Sequence, residues 1–212
     1  MSGRVSNCPN CGAPINFRWS SAVQTTCEFC HSILISSGVD LKKVGEVADL
    51  PMDSSPIQLG TEGAYQGKTF TAIGRIIYEY EQGGWNEWHL IYNDGTSGWL
   101  SDAQLEYDLS WLVPPQKLPD RGHISPGQEF TWKSKKFRVT SMTHAQYKGV
   151  QGELPFHYWD KQKLLFADLR TSDGDFATVD FSETPPLLFM GHSVEFDELS
   201  LKNLREFEGW TR

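Results

Sequence analysis

From about residue 58 the chain alternates between apolar and polar positions with the period of a strand. In TFTAIGRIIYEY, Phe70, Ala72, Gly74, Ile76, Tyr78 and Tyr80 fall on one face and Thr71, Ile73, Arg75, Ile77 and Glu79 on the other. A period of two, rich in β-branched and aromatic residues, predicts a β-strand. In the following GGWNEWHLIYNDGTSGWL, Trp88, Leu90 and Tyr92 share one face of a second strand. Asn93-Asp94-Gly95 then supplies the positive-φ residues of a tight hairpin, and a third strand runs through Trp99 and Leu100.

The same order of signals returns after the Pro-rich residues 113–120. Lys136-Phe137-Arg138-Val139 echoes Lys68-Thr69-Phe70-Thr71, and Ser172-Asp173-Gly174 echoes Asn93-Asp94-Gly95, with LLFADL before it and DFATVDF after it. This predicts an internal repeat in which Phe70 matches Phe137 and Asp94 matches Asp173. The second copy is longer, with its extra residues around GELPFHYWDK. The final FDELSLKNLREFEGW predicts a short helix with Asp197 at its N-cap and Leu201, Leu204 and Phe207 or Glu208 at helical spacing, laid over a sheet edge.

Residues 1–35 hold all four cysteines, and residues 36–57 mix Ser, Gly, Pro and charge in the manner of a linker. The predicted organisation is therefore a zinc ribbon over 1–35, a linker over 36–57, a first β repeat over 58–112 and a second over 113–212. The fold class is mainly β: an N-terminal zinc ribbon followed by two related small β-barrel-like or curled-sheet domains, with a short C-terminal helix.

Cys8 and Cys11 form one Cys-x2-Cys pair, and Cys27 and Cys30 a second. Two such knuckles bring four soft thiolates into a tetrahedron around Zn2+, so one structural zinc ion is expected. Gly12 supplies a positive-φ residue after the first knuckle, and Ile15, Phe17, Trp19 and Val23 alternate as a hairpin joining the two. His31 is a weaker candidate ligand, since four cysteines already complete the shell. A closed shell leaves no position for water or substrate, which argues against catalysis by the metal.

The chain has 212 residues, 39% of them hydrophobic and 13% aromatic, enough for a substantial core. Its net charge of -8 repels phosphate backbones and anionic membranes. The acidic excess lies in residues 38–110, whereas the ribbon carries only Arg4 and Arg18 as bases, so nucleic-acid binding is disfavoured. MSGRVSNCPNC lacks the apolar stretch of a signal peptide and no later segment is apolar enough to span a bilayer, which predicts a cytoplasmic protein.

The strings CPNCGAPINF, GRIIYEYEQGGWNEWHLIYNDGTSGWLSDAQ, GELPF, FADLRTSDGDFATVDFSETPPLLFMG and FDELSL resemble the bacterial family catalogued as domain of unknown function 4178, over nearly the whole chain. That resemblance implies the architecture and assigns no activity. Similar proteins stand beside polyamine-biosynthesis genes and small membrane proteins, which implies peripheral membrane association through a partner and names no residue.

The residues themselves point to binding. Trp85, Glu87, Asp94 and Trp99 can form an aromatic, acidic surface for a cationic segment of a partner protein. Trp85 follows Gly83-Gly84 and is the ring expected at the surface, while Trp88 and Tyr92 belong to a core. Lys133, Lys135, Lys136 and Arg138 divide between two strand faces, as on a solvated hairpin. Asp168, Asp173, Asp175 and Asp180 flank a turn, where aspartate is common for backbone reasons. No phosphate loop, nucleophile elbow or metalloprotease motif is present. The expected function is a non-enzymatic binding or adaptor protein. The alternatives are an enzyme acting on a small cationic substrate and a nucleic-acid-binding ribbon protein.

Overall fold

A computed structural model describes residues 4–37, 40–47, 55–114, 117–157 and 163–207. In the ribbon, β1 (Val5–Asn7) pairs with β2 (Pro14–Asn16), and β3 (Gln24–Thr26), β4 (Ser32–Ser37) and β5 (Asp40–Glu46) form a three-stranded sheet. The first hairpin thus brackets the first knuckle and does not join the two. Strand β5 was expected to be linker. It pairs with β4 from Ser37↔Asp40 to Ser32↔Glu46, because Leu41 packs on the ribbon core and Val44 and Val47 pack beside Ile33. The expected linker residues 48–54 lie outside the described residues.

The rest of the chain supplies ten strands to one curled antiparallel sheet. The first five are β6 (Glu62–Tyr65), β7 (Lys68–Tyr80), β8 (Gly83–Tyr92), β9 (Ser97–Ala103) and β10 (Glu106–Leu112). The second five are β11 (Glu129–Trp132), β12 (Lys135–Gly152), β13 (Lys163–Arg170), β14 (Asp175–Asp180) and β15 (Leu187–Val194). Each set is a meander, and two seams join the sets: β10 pairs with β15, and the second half of β7 pairs with the end of β12. Eight strands close into a barrel, while β6 and β11 lie along the first halves of β7 and β12.

Both long strands change partner near a break in register, between Ala72 and Gly74 in one and between Val139 and Ser141 in the other. Such bulges bend a strand and let it serve two neighbours. Each seam also needs a glycine for close backbone approach. A Cβ on Gly74 would lie 2.0 Å from the Glu153 carbonyl oxygen, and one on Gly191 would lie 1.7 Å from that of Leu109.

The landmarks of the two meanders carry the same hydrogen bonds. Gly60 donates to Ala72 O and Gly127 to Val139 O, both at 2.8 Å, while Ala72 donates to Thr61 O and Val139 to Gln128 O, again both at 2.8 Å. Phe70 and Phe137 are both buried at the start of their long strands, and Asp94 and Asp173 both precede a left-handed glycine, Gly95 or Gly174.

Each meander curls around an apolar core. Phe70, Trp88, Leu90, Leu100 and Leu109 fill the first, and Phe137, Val139, Leu169, Val179 and Leu188 fill the second. A third cluster contains Ile76, Tyr78 and Trp99 from the first meander, Tyr147 and Phe166 from the second, and Ile33 from the ribbon. The ribbon docks through Glu153, whose carboxylate accepts the backbone N–H groups of Arg18 at 2.7 Å and Trp19 at 2.9 Å, and through paired backbone bonds between Gln24 and Leu154.

The C-terminal helix is shorter than expected and is capped two residues earlier. It is a single 3-10 turn, Phe196–Leu199, with Glu195 and not Asp197 at the N-cap, closed by a capping box to Glu198. Ser200 adopts a left-handed conformation that ends it, so Leu201 and Leu204 reach the first core from irregular backbone. Lys202 then bridges Glu62 and covers part of the β6 edge. Glu208 lies outside the described residues. Among the described residues, no helix is long and apolar enough to cross a membrane.

Candidate functional site

Two groups of residues have the makings of a site, one in the ribbon and one inside the barrel. In the ribbon the knuckles are built alike: Gly12 N–H donates to Cys8 O, and His31 N–H donates to Cys27 O. Gly12 and His31 both have positive φ, at 76° and 55°. His31 therefore closes the second knuckle turn as Gly12 closes the first, and it stands outside the group of four ligand atoms. The Sγ atoms of Cys8, Cys11, Cys27 and Cys30 all lie within 4.8 Å of one another, with Cys8 to Cys30 at 3.6 Å and Cys11 to Cys27 at 3.7 Å. Metal–sulfur bonds of ~2.3 Å set the edge of a tetrahedron at about 3.8 Å, so this donor set fits a tetrahedral metal ion.

Inside the barrel, alternation along each strand sends one set of side chains to the meander cores and the other to a cavity of about 60 Å³. Its walls are largely aromatic, with Tyr78, Trp99, Phe156, Phe166, Phe176 and Phe189 all contributing rings. Its polar groups are Glu87 on β8, Ser101 on β9, Ser110 on β10, and Thr178 and Asp180 on β14. Trp85 stacks on Tyr78 with ring centroids 4.8 Å apart and donates its indole N–H to Glu87 Oε1 at 2.9 Å.

Burial raises the Glu87 carboxyl to about 8, against the opposing hydrogen bonds from Trp85 and Ser101, and the nearby Asp168 and Asp108 raise it further. Burial likewise lifts Asp180 to about 6, although Ser182 N–H donates to it at 2.8 Å. Asp108 has a cation of its own, Arg170, at 3.2 Å, and Asp168 accepts the hydroxyls of Ser141 and Thr178. Among the described residues neither Glu87 nor Asp180 has a cationic partner.

His89 lies behind Trp99, one of the cavity's walls. Its Nδ1 lies 2.8 Å from the carbonyl of Glu153, which can only accept, so Nδ1 carries the proton and Nε2 accepts the Ser97 hydroxyl at 2.8 Å. Burial lowers its pKa to about 4, which keeps the ring neutral. Trp19 of the ribbon meets one side of the ring edge-on at 5.0 Å, and Trp99 lies 5.1 Å from it.

Three of the four predicted binding residues are thus brought together, but around an interior. Glu87 and Trp99 line the cavity, and Trp85 is half-buried against it. Trp99 is only 6% exposed, so it forms no surface contact. Asp94 is elsewhere: it sits in the β8–β9 turn, seven residues past Glu87 and roughly 20 Å along the strand, bonded to Lys68 at 2.8 Å and to Thr96. The sequence reading missed Ser101, Ser110 and Phe166, and it set Asp180 aside as an aspartate beside a turn. Alternation within DFATVDF does carry the signal for Asp180, since it shares a face with Phe176 and Thr178. Two cations of the lysine-rich hairpin are paired, Lys135 with Asp175 and Lys136 with Glu129.

The fold and sites define an all-β protein in which a four-cysteine ribbon is docked on a closed sheet of two meanders. The family described as a domain of unknown function, DUF4178, matches residues 58–196, and the chain belongs to that family. Comparison with curated proteins and with solved structures gives no match.

Proposed function

We propose that this is a non-enzymatic binding module that recognises a basic segment of a partner protein, and that one zinc ion folds its ribbon. The observation that carries the reading is the convergence of Trp85, Glu87 and Trp99 on an aromatic interior where two carboxyl groups lack a cation. Aromatic faces attract cations most strongly where water is excluded, and the net charge of -8 steers basic partners toward the molecule. Zinc suits four thiolates with tetrahedral spacing, and the closed shell gives it a structural task. The two meanders are read as an internal repeat on the strength of their shared hydrogen bonds.

Partner capture followed by mass spectrometry and titration of the purified pair tests this reading. Affinity should fall as salt rises and should fall again in Glu87→Gln. A partner that ignores both salt and Glu87 would sink it. For the metal, elemental analysis of protein prepared without chelator should find one zinc per chain, and Cys27→Ser should disorder the ribbon while the barrel stays folded. Raised pKa values in one cavity also suit acid–base chemistry on a small cationic substrate. That second reading predicts turnover of a cationic compound, abolished in Glu87→Gln.

A further inference from the structure

The geometry points to the barrel cavity as a site for a primary ammonium group, the CH2–NH3+ end of a lysine side chain, held by Glu87, Asp180 and Ser110 within a ring of aromatic faces. The inference rests on the binding reading above and names the chemistry of its ligand.

Three features carry it. The first is an acceptor without a donor. Ser110 is 7% exposed, lines the cavity and has no hydrogen-bond partner for its hydroxyl among the described residues. Its hydroxyl opens onto the cavity, where it can accept a hydrogen bond from a ligand. The second is charge. Glu87 receives hydrogen bonds only from neutral groups, Trp85 and Ser101, and Asp180 receives them from Ser182. Burying carboxyl groups without a counter-charge is costly, and both respond by holding their protons more tightly than usual. An ammonium ion offers three N–H donors and the missing charge.

The third is size. A cavity of about 60 Å³ has room for a few water molecules, and so for an ammonium group with the carbon that carries it. A quaternary ammonium group has no N–H to give the acceptors. The acceptors come from three different strands, β8, β14 and β10, so the ligand is surrounded rather than touched on one side. Arg170 is already engaged by Asp108 and Ser193 and lies over the ring of Phe176, a cavity residue, at 5.0 Å.

Methylammonium chloride is the direct probe, since it is the end group alone. The full-length protein is titrated at constant ionic strength, with sodium chloride as balance, and tryptophan fluorescence reports on the cavity through Trp85 and Trp99. Methanol is the neutral control of equal size and tetramethylammonium the cation that lacks N–H donors. The expected result is a saturable change with methylammonium in the millimolar range that suits so few atoms, and none with either control. Ser110→Ala should weaken it several-fold and Glu87→Gln by about ten-fold or more, with both variants melting cooperatively. A response shared with methanol means that the cavity holds only water, and overturns the proposal. So does unchanged affinity in a folded Ser110→Ala and Glu87→Gln pair. If Glu87→Gln fails to fold, the comparison of methylammonium with methanol on the native protein decides alone. Methylammonium binding without any basic partner would leave this site standing and remove the partner reading, whereas a salt-sensitive partner that binds both variants normally would do the reverse.

Discussion

The two meanders agree where each faces its own core and differ where they face each other. Counted from the turn glycines Gly95 and Gly174, Leu90 corresponds to Leu169, Leu100 to Val179 and, through their pairing, Leu109 to Leu188; all six are buried apolar residues. The same count across the cavity sets Glu87 against Phe166, Trp99 against Thr178, Ser101 against Asp180 and Ser110 against Phe189. Each pair joins unlike chemistry. A core only has to be filled with apolar volume, so the two meanders share one solution. A ligand site has to be asymmetric to hold an asymmetric group, and the facing walls are where asymmetry lowers no packing energy in the frame.

The largest departure inside the cores is Trp88, which corresponds to Ala167; both are fully buried. The second core has Trp132 against Phe137 at 5.7 Å to supply ring volume from another position. Trp88→Ala should cost roughly 3–5 kcal/mol in denaturant unfolding, because Trp88 is fully buried and Tyr65, which stands where Trp132 stands in the second meander, already packs against the first core. A loss under about 1 kcal/mol would show that the first meander repacks as freely as the second.

A smaller effect follows from the carboxyl groups of the facing walls. Folded Glu87 keeps its proton up to about 8 where an ordinary glutamate loses it near 4.5, and Asp180 keeps its proton up to about 6 against 3.8. Between those limits the unfolded chain has released protons that the folded chain retains, so stability falls as pH rises. Melting temperatures should decline from about pH 5 to pH 8.5, with Glu87→Gln flattening the upper part and Asp180→Asn the lower part. A flat profile would mean that these groups are solvated, and the contrast between the walls would lose its electrostatic half.

The smallest effect concerns the turns. Lys68 pairs with Asp94 in one meander, both substantially exposed, while Lys135 pairs with the more buried Asp175, which also contacts His192 at 3.2 Å. Lys68→Ala should change stability by about 0.5 kcal/mol or less, and Lys135→Ala by more, though still about 1 kcal/mol. Double-mutant cycles on each pair would read the difference directly.

Much of the frame is legible in the sequence, because a period of two and an Asp-Gly turn are local signals. TFTAIGRIIYEY is strand β7, and Cys8, Cys11, Cys27 and Cys30 do come together. The cavity was legible only in part. Trp85 and Glu87 attract notice as an aromatic beside an acid, but their direction is set by the β7–β12 seam, a pairing between residues far apart in the chain. Ser110 and Phe166 are unremarkable in sequence and matter only because the ring closes around them. The β5 strand was hidden by composition, since its burial comes from Val44 and Val47 meeting a cluster that the barrel supplies.

The closed ring also bears on how the chain is made. Synthesis completes the first meander with β10, yet Gly74–Glu79 has no second neighbour until β12 has been built through Gly152. During that interval a nascent chain presents a bare strand edge and half of an aromatic interior, the kind of surface that recruits other copies. The order of translation thus makes the first meander dependent on residues not yet synthesised, and places the hazard of misassembly in the time before the ring shuts.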